Sequence, residues 1–388
     1  MTTRVAVVRG VDQVNVGELG VYSELRKYGY EVELLCSTRS RVTEADAGMR
    51  VRRRATPRLA SGLTRTVPGG FLVGQVSPYR YYHQYLTRFS RAVRADDVLC
   101  PVDLGHPTSY QAILERKRGK KVAVQCWENI PFNWPHDRPL REHFEAVLDG
   151  ADHFLAFTRD AASALSRMGV GPDRVSHLNI GLNLEYWKPA ATPSPAADRL
   201  RALFVGRLHW SKGVHTLIEA VELAKAPIEL TVVGAGPEEA RLRWLVEQRR
   251  RRGNSTPATS IRFVGARYGD ELLRLRQGMD VQVVPSIPTA QWREQLNQSM
   301  LEGMACALAP VASRSGAITE AVTDGGNGWL VPPDHPADLA EALERVASDP
   351  GERARRGRAA RARMESEYEL VRQGRVFADV MRSKIREP

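Results

Sequence analysis

The run Ala202-Leu203-Phe204-Val205-Gly206-Arg207-Leu208-His209-Trp210-Ser211-Lys212-Gly213-Val214 decides how this 388-residue chain folds. An apolar segment ends in a glycine, a short polar loop follows, and residues 214–224 resume with helical spacing. A buried strand, a tight turn and a helix in that order open a βαβ unit. The alternation extends in both directions. Apolar runs at 5–8, 32–35, 98–100, 121–125 and 153–157 precede it; runs at 229–233, 261–264, 281–284, 308–311 and 329–331 follow. Amphipathic stretches at 18–28, 141–148, 159–168, 238–252 and 270–278 lie between them. So many strands exceed one doubly wound sheet, so the pattern predicts an α/β chain with two, their ligands at the carboxyl ends of the strands in a central cleft. The Pro- and Ala-rich stretch Lys188-Pro-Ala-Ala-Thr-Pro-Ser-Pro-Ala-Ala-Asp198 reads as the linker, placing one domain at 1–190 and the other at 191–365. The tail after Pro350 is Arg-rich and reads as helical to about Ile385.

Composition narrows the class. With 43% hydrophobic and 26% charged residues the chain is ordinary globular protein, neither disordered nor fibrous. No apolar run approaches the roughly 18 residues of a membrane span. The N-terminus shows no signal-peptide pattern, and Cys36, Cys100, Cys126 and Cys306 lack metal-site or paired spacing, so a reducing cytoplasm is expected. Lys and Arg number 56 against 45 Asp and Glu, a net charge of +11. Most of that excess sits in residues 39–94, where twelve Arg face only Glu44 and Asp46, interleaved with Phe71, Tyr79, Tyr81, Tyr82, Tyr85 and Phe89. Such a segment suits an anionic membrane surface, an acidic acceptor or nucleic acid, or else is a solvated loop followed by a helix with core aromatics. No RRM, helix-turn-helix or OB pattern supports nucleic acid.

The chemistry concentrates in the second half. Gly206 at a strand end, Arg207 and Lys212 five apart, and a helix N-terminus suit a phosphate or diphosphate. The next strand ends in Val233-Gly234-Ala235-Gly236-Pro237, whose glycines admit a close backbone neighbour. After 281–284 comes Pro285-Ser286-Ile287-Pro288-Thr289-Ala290-Gln291-Trp292-Arg293-Glu294-Gln295-Leu296-Asn297-Gln298-Ser299-Met300-Leu301-Glu302. In a continuous helix Glu294 and Glu302 would be roughly 12 Å apart, too far for two carboxylates on one bond. They address different parts of one long ligand: Glu294 a polyol, Glu302 vicinal hydroxyls, with the N–H groups of Gln295, Leu296 and Asn297 toward a phosphate between them. No Asp-x-Asp pair sits at a strand end, and no metal site is expected.

The succession GRLxxxKG, VGxGP, PS…E-x7-E-x-M-A and Asp324-Gly325-Gly326-Asn327-Gly328-Trp329 resembles the GT-B fold retaining glycosyltransferases of family four over 201–333. That resemblance implies two Rossmann-like domains facing a cleft, an N-terminal acceptor domain at 1–190 joined by a returning helix at about 366–388, and a donor domain at 191–365. It implies no cofactor but a nucleoside-diphosphate sugar donor, with UDP or GDP as the nucleotide, and a hydroxyl acceptor that is a glycan, a glycolipid or a small molecule. By the same resemblance Arg207 and Lys212 hold the diphosphate, Glu294 meets the donor sugar, Glu302 holds the ribose, and the backbone at Gly265 and Ala266 reads the base. Gln295-Leu296-Asn297 stands where other members have Phe-Gly. In the first half Gly17 occupies the glycine loop near phosphate and acceptor. The family's His after the strand at 121–125 is missing here; Glu128 or Asn129 stands in its place, and His106 is the nearest imidazole. A front-face displacement is expected, in which a donor phosphate oxygen takes the acceptor's proton. A sugar-nucleotide epimerase of the same fold is the alternative; a glycan phosphorylase, lacking an evident pyridoxal-phosphate lysine, and a nucleic-acid-binding protein are less favoured.

Overall fold

The computed structural model describes residues 2–10, 16–56, 85–94, 97–116, 118–133, 138–191, 198–251 and 259–386. Residues Met1–Gly181 together with Leu370–Pro388 form one compact unit, and Leu182–Glu369 form a second. The division at Gly181 lies before the Pro- and Ala-rich stretch, of which 192–197 fall outside the described residues.

The first unit holds a seven-stranded parallel sheet. Its strands are β1 (Arg4–Val8), β2 (Glu31–Ser37), β3 (Arg50–Arg54), β4 (Asp97–Cys100), β5 (Lys121–Cys126), β6 (His153–Ala156) and β7 (Val175–His177), in the order β3-β2-β1-β4-β5-β6-β7. The chain steps outward from β1 through β2 to β3, then crosses to β4 on the other side, so β1 and β4 flank the switch point. Central strands such as β1 are buried along their whole length, as a sheet covered on both faces requires. Arg4 on β1 staples its neighbour: Nε donates to Asp97 Oδ1 at 2.6 Å, and Nη1 lies 2.8 Å from Glu33. The helix Leu370–Val380 closes this unit, packing on the helix Val16–Glu24 with Tyr22 and Phe377 edge to face at 5.1 Å.

β3 and β7 escape the sequence pattern. Arg-Val-Arg-Arg-Arg at 50–54 reads as solvated loop, yet pairs in register with β2 from Glu33 to Ser37. It is an edge strand, where charged side chains reach water and protect the open ladder. Arg52 also donates to the buried Glu33 at 2.9 Å and Arg53 to the Val42 carbonyl at 2.5 Å, so part of the basic segment is structural. Phe89 is core, and Tyr85 packs against His143 with ring centroids 6.2 Å apart. Phe71, Tyr79, Tyr81 and Tyr82 lie outside the described residues. The Arg-rich tail divides into Pro350–Glu367 and Leu370–Val380, one helix in each unit.

The second unit repeats the winding with β8 (Leu200–Val205), β9 (Ile228–Val233), β10 (Ser260–Gly265), β11 (Val281–Val284), β12 (Ala309–Ser313) and β13 (Trp329–Val331), all parallel, in the order β10-β9-β8-β11-β12-β13. Its main core gathers Leu217, Ile218, Leu230, Val311, Leu343 and other side chains of the sheet and its helices. Here β8 and β11 flank the switch point, and both the 206–213 and 285–297 loops leave from it.

Candidate active site

At the carboxyl ends of β8, β9 and β10 the backbone is laced together. The Gly206 N–H donates to Val233, Leu208 to Ala235, and Gly234 to Gly265, at 2.9–3.0 Å. Gly234 has φ +143°, and a Cβ there would lie 1.8 Å from the Gly206 carbonyl oxygen, so no other residue fits. Ala266 follows Gly265 and accepts from its neighbour Arg267 at 2.9 Å. Lys212 ends a 3₁₀ turn, after which the helix Val214–Leu223 begins. The loop after β11 is tied to that turn, since the Ile287 N–H donates to the Ser211 carbonyl at 2.8 Å.

Two ion pairs organise the polar side chains. Lys212 Nζ lies 2.9 and 2.8 Å from the Glu294 carboxylate oxygens, and Ser286 Oγ donates to Glu294 Oε2 at 2.6 Å. Glu294 is only 4% exposed. Arg207 is exposed and has no ion-pair partner among the described residues. A cavity of about 190 Å³ opens here, lined among others by Gly206, Arg207, Lys212, Glu294, Leu296 and Asn297. Gln295 continues the loop between them, half-buried. Asn297 caps the helix Gln298–Ala305, its Oδ1 accepting the Met300 N–H at 2.9 Å. One turn further, Glu302 pairs with Arg276 at 2.8 Å and accepts from Gln298 Nε2 at 3.0 Å. Burial pushes the Glu302 carboxyl up, against the pull of Arg276. The two glutamates thus have separate partners.

Sequence reasoning missed Arg276. Its guanidinium is fully buried, lies 4.6 Å from the Trp187 ring centroid, and donates to Ser299 O and Oγ at 3.1 and 3.0 Å. In sequence it is one more cation in the last turn of an Arg-rich helix, where the dipole alone accounts for it. Ser286 likewise carries no signal beyond its place after a strand.

In the first unit, Gly17 lies in the first turn of Val16–Glu24, and Glu18 beside it accepts from Gln125 Nε2 at 3.0 Å. Gln125 Oε1 accepts from Tyr22 at 2.8 Å and from the buried Arg9. Glu128 follows β5 and caps its own turn, accepting the Ile130 N–H at 3.1 Å; Asn129 is buried. Asp103, after β4, has φ +54° and accepts the Trp127 N–H at 2.6 Å. Burial, with Glu128 and Glu18 nearby, pushes its carboxyl up to about 7. Burial, with Arg9 nearby, brings His106 down to about 4, leaving a neutral imidazole at neutral pH.

Comparison with known proteins points to the same part of the chain. The model of a family described as glycosyl transferases group 1 matches residues 199–349. That segment resembles the glycosyl transferases group 1. Glycogen synthase of Mycobacterium tuberculosis is 32% identical over 204 residues, 52% of this chain and 46% of the relative. D-inositol 3-phosphate glycosyltransferase of Pseudarthrobacter chlorophenolicus is 30% identical over 246 residues, 60% of this chain and 56% of the relative. The chain spans about half the length of the curated relatives it matches. Anabaena HepE, solved in complex with UDP, superimposes with a TM-score of 0.75 at 16% identity, covering 98% of this chain and 100% of that one. Sucrose-phosphate synthase from Thermosynechococcus elongatus gives 0.75 at 18% identity, covering 98% of each chain. The chain has the GT-B fold.

Proposed function

We propose that this chain is a glycosyltransferase that moves a hexose from a nucleoside-diphosphate sugar to a hydroxyl acceptor, with retention of anomeric configuration and no cofactor. The observation that carries the reading is Arg207, without an ion-pair partner among the described residues, beside the Lys212–Glu294 pair at the carboxyl end of β8, in the segment that the group 1 model matches. Arg207 takes the diphosphate bidentately and Lys212 adds a point charge. Together they neutralise the leaving group, which supports transfer without a catalytic metal. Glu302 accepts from the ribose hydroxyls, and the Gly265–Ala266 backbone meets the base. Glu294 accepts from hydroxyls of the donor sugar. The bond between the anomeric carbon and the phosphate oxygen breaks, the acceptor oxygen bonds to that carbon from the same face, and its proton passes to the departing phosphate. Glu128 and Gly17 belong to the acceptor side. The structural relative HepE holds UDP, which supports a uridine or similar diphosphate donor here. The group 1 match favours transfer over epimerisation. Incubation with UDP-, GDP- and dTDP-hexoses, scored by Tm shift and by release of the nucleoside diphosphate, tests the proposal; no response to any donor overturns it.

A further inference from the structure

We propose that the second unit carries a pyranose-binding subsite at Trp210 and Trp292, adjoining the nucleotide cavity and sharing Arg207 and Lys212 with it. A cavity of about 650 Å³ lies there, lined by both tryptophans and by Arg207, Lys212, His209 and Gln291 among others. Its size falls within the range of pockets that enclose a small ligand. Trp210 is 43% exposed, a high value for the side chain with the largest apolar surface. Trp292 lies under the Lys212 ammonium, with Nζ 4.8 Å from the ring centroid.

Each indole stands on a rigid loop. Thr289 Oγ1 accepts the N–H groups of Gln291 and Trp292 at 3.2 and 2.9 Å, and the Thr289 N–H donates to the Trp292 carbonyl at 2.6 Å. On the facing loop His209 Nδ1 lies 2.9 Å from Ser211 Oγ. The Ile287–Ser211 bond ties one loop to the other, and both tryptophans line one cavity. An apolar ligand would not need the amide, hydroxyl and imidazole around the rim, and an anion would use Arg207 and Lys212 but not the two indoles. A pyranose uses both: its axial C–H bonds stack on the electron-rich ring face, and its equatorial hydroxyls reach the polar rim.

The subsite rests on the transferase reading, because its two sources of a pyranose are the donor's sugar and a glycan acceptor. The test is saturation-transfer NMR and titration calorimetry with UDP, UDP-glucose, and maltotetraose, cellotetraose and chitotetraose, on wild type, Trp210→Ala and Trp292→Phe. Trp210 is exposed, so its loss should leave Tm unchanged and the variant folded. A glycan source predicts binding of a tetrasaccharide that Trp210→Ala weakens by about tenfold or more, with UDP affinity intact. A donor source predicts the same loss for UDP-glucose but not for UDP. If every ligand binds Trp210→Ala and Trp292→Phe as it binds wild type, or if no sugar binds, the subsite is overturned. Failure of UDP to bind wild type would instead strike the transferase reading, while the tetrasaccharide titrations still report on the tryptophans.

Discussion

Lys212 and Glu294, 82 residues apart in the chain, meet as an ion pair of 2.8 Å at the switch point of the second sheet. The cation proposed for the diphosphate and the carboxylate proposed for the sugar are therefore coupled before any ligand arrives. A bound diphosphate would compete for the ammonium and leave Glu294 free to accept from sugar hydroxyls.

This pairing separates the two cations by experiment. Arg207→Ala and Lys212→Ala should each weaken UDP binding by about 1.5–3 kcal/mol, the worth of a charged hydrogen bond. Lys212→Ala also leaves a carboxylate with 6% of its side chain exposed without its partner, so it should lower Tm, whereas Arg207→Ala should not. Calorimetry and thermal unfolding check this; equal Tm values for the two variants would count against the coupling.

The two glutamates should divide their effects. Glu302→Gln should weaken binding of UDP itself and destabilise the fold, because it strips the buried Arg276 of its counter-charge. Glu294→Gln should spare UDP affinity and lower kcat. Equal losses of UDP affinity in both variants would refute the assignment.

Gly316 guards Glu294 from behind. Its φ is +52°, a Cβ there would stand 2.0 Å from the Glu294 carbonyl oxygen, and the Ala317 N–H donates to that oxygen at 3.0 Å. Gly316→Ala should cost about 1 kcal/mol or more of stability and lower kcat by displacing the Glu294 loop. Tm and steady-state rates measure the two effects; wild-type kcat would show that the loop tolerates the shift.

Asp103 predicts a pH dependence. Unfolded, its carboxyl titrates near about 3.9; folded, it titrates at about 7. Between those values the folded chain holds the extra proton, so this contribution to stability is complete below about pH 4 and is lost as pH rises through 7. The difference in urea midpoint between wild type and Asp103→Asn should therefore shift against wild type from pH 4 to 7 and level off above it. A pH-independent difference would mean that Asp103 is ionised throughout.

The basic segment 39–94 makes a further prediction about the acceptor. An anionic or lipid-linked acceptor at a membrane face implies sedimentation with vesicles of anionic lipid at low salt, and none with neutral lipid or at high salt. Each arginine near such a surface contributes about 1 kcal/mol. Arg52, engaged by Glu33, should matter less than Arg39, Arg41 and Arg50, which have no ion-pair partner among the described residues. Absence of salt-sensitive binding points to a soluble acceptor. None of the described helices is long and apolar enough to cross a membrane.

The amino-acid sequence by itself determined the two parallel sheets, because fully buried strands must be apolar runs and each is followed by its own helix signal. It also determined that Gly206, Arg207, Lys212 and the Glu294 loop lie just past strand ends, since local spacing places them there. The tertiary structure alone decided the rest. β3 is an edge strand held by backbone pairing to β2, and backbone pairing leaves no mark on an arginine-rich side-chain pattern. Arg276 is buried because a helix from one part of the chain meets Glu302 from another, and burial of a charge follows from its partner rather than from its neighbours in sequence. The Lys212–Glu294 pair and the cavity shared by Trp210 and Trp292 arise the same way: parallel crossovers bring two loops to one end of a sheet, and only the folded chain sets the distance between them.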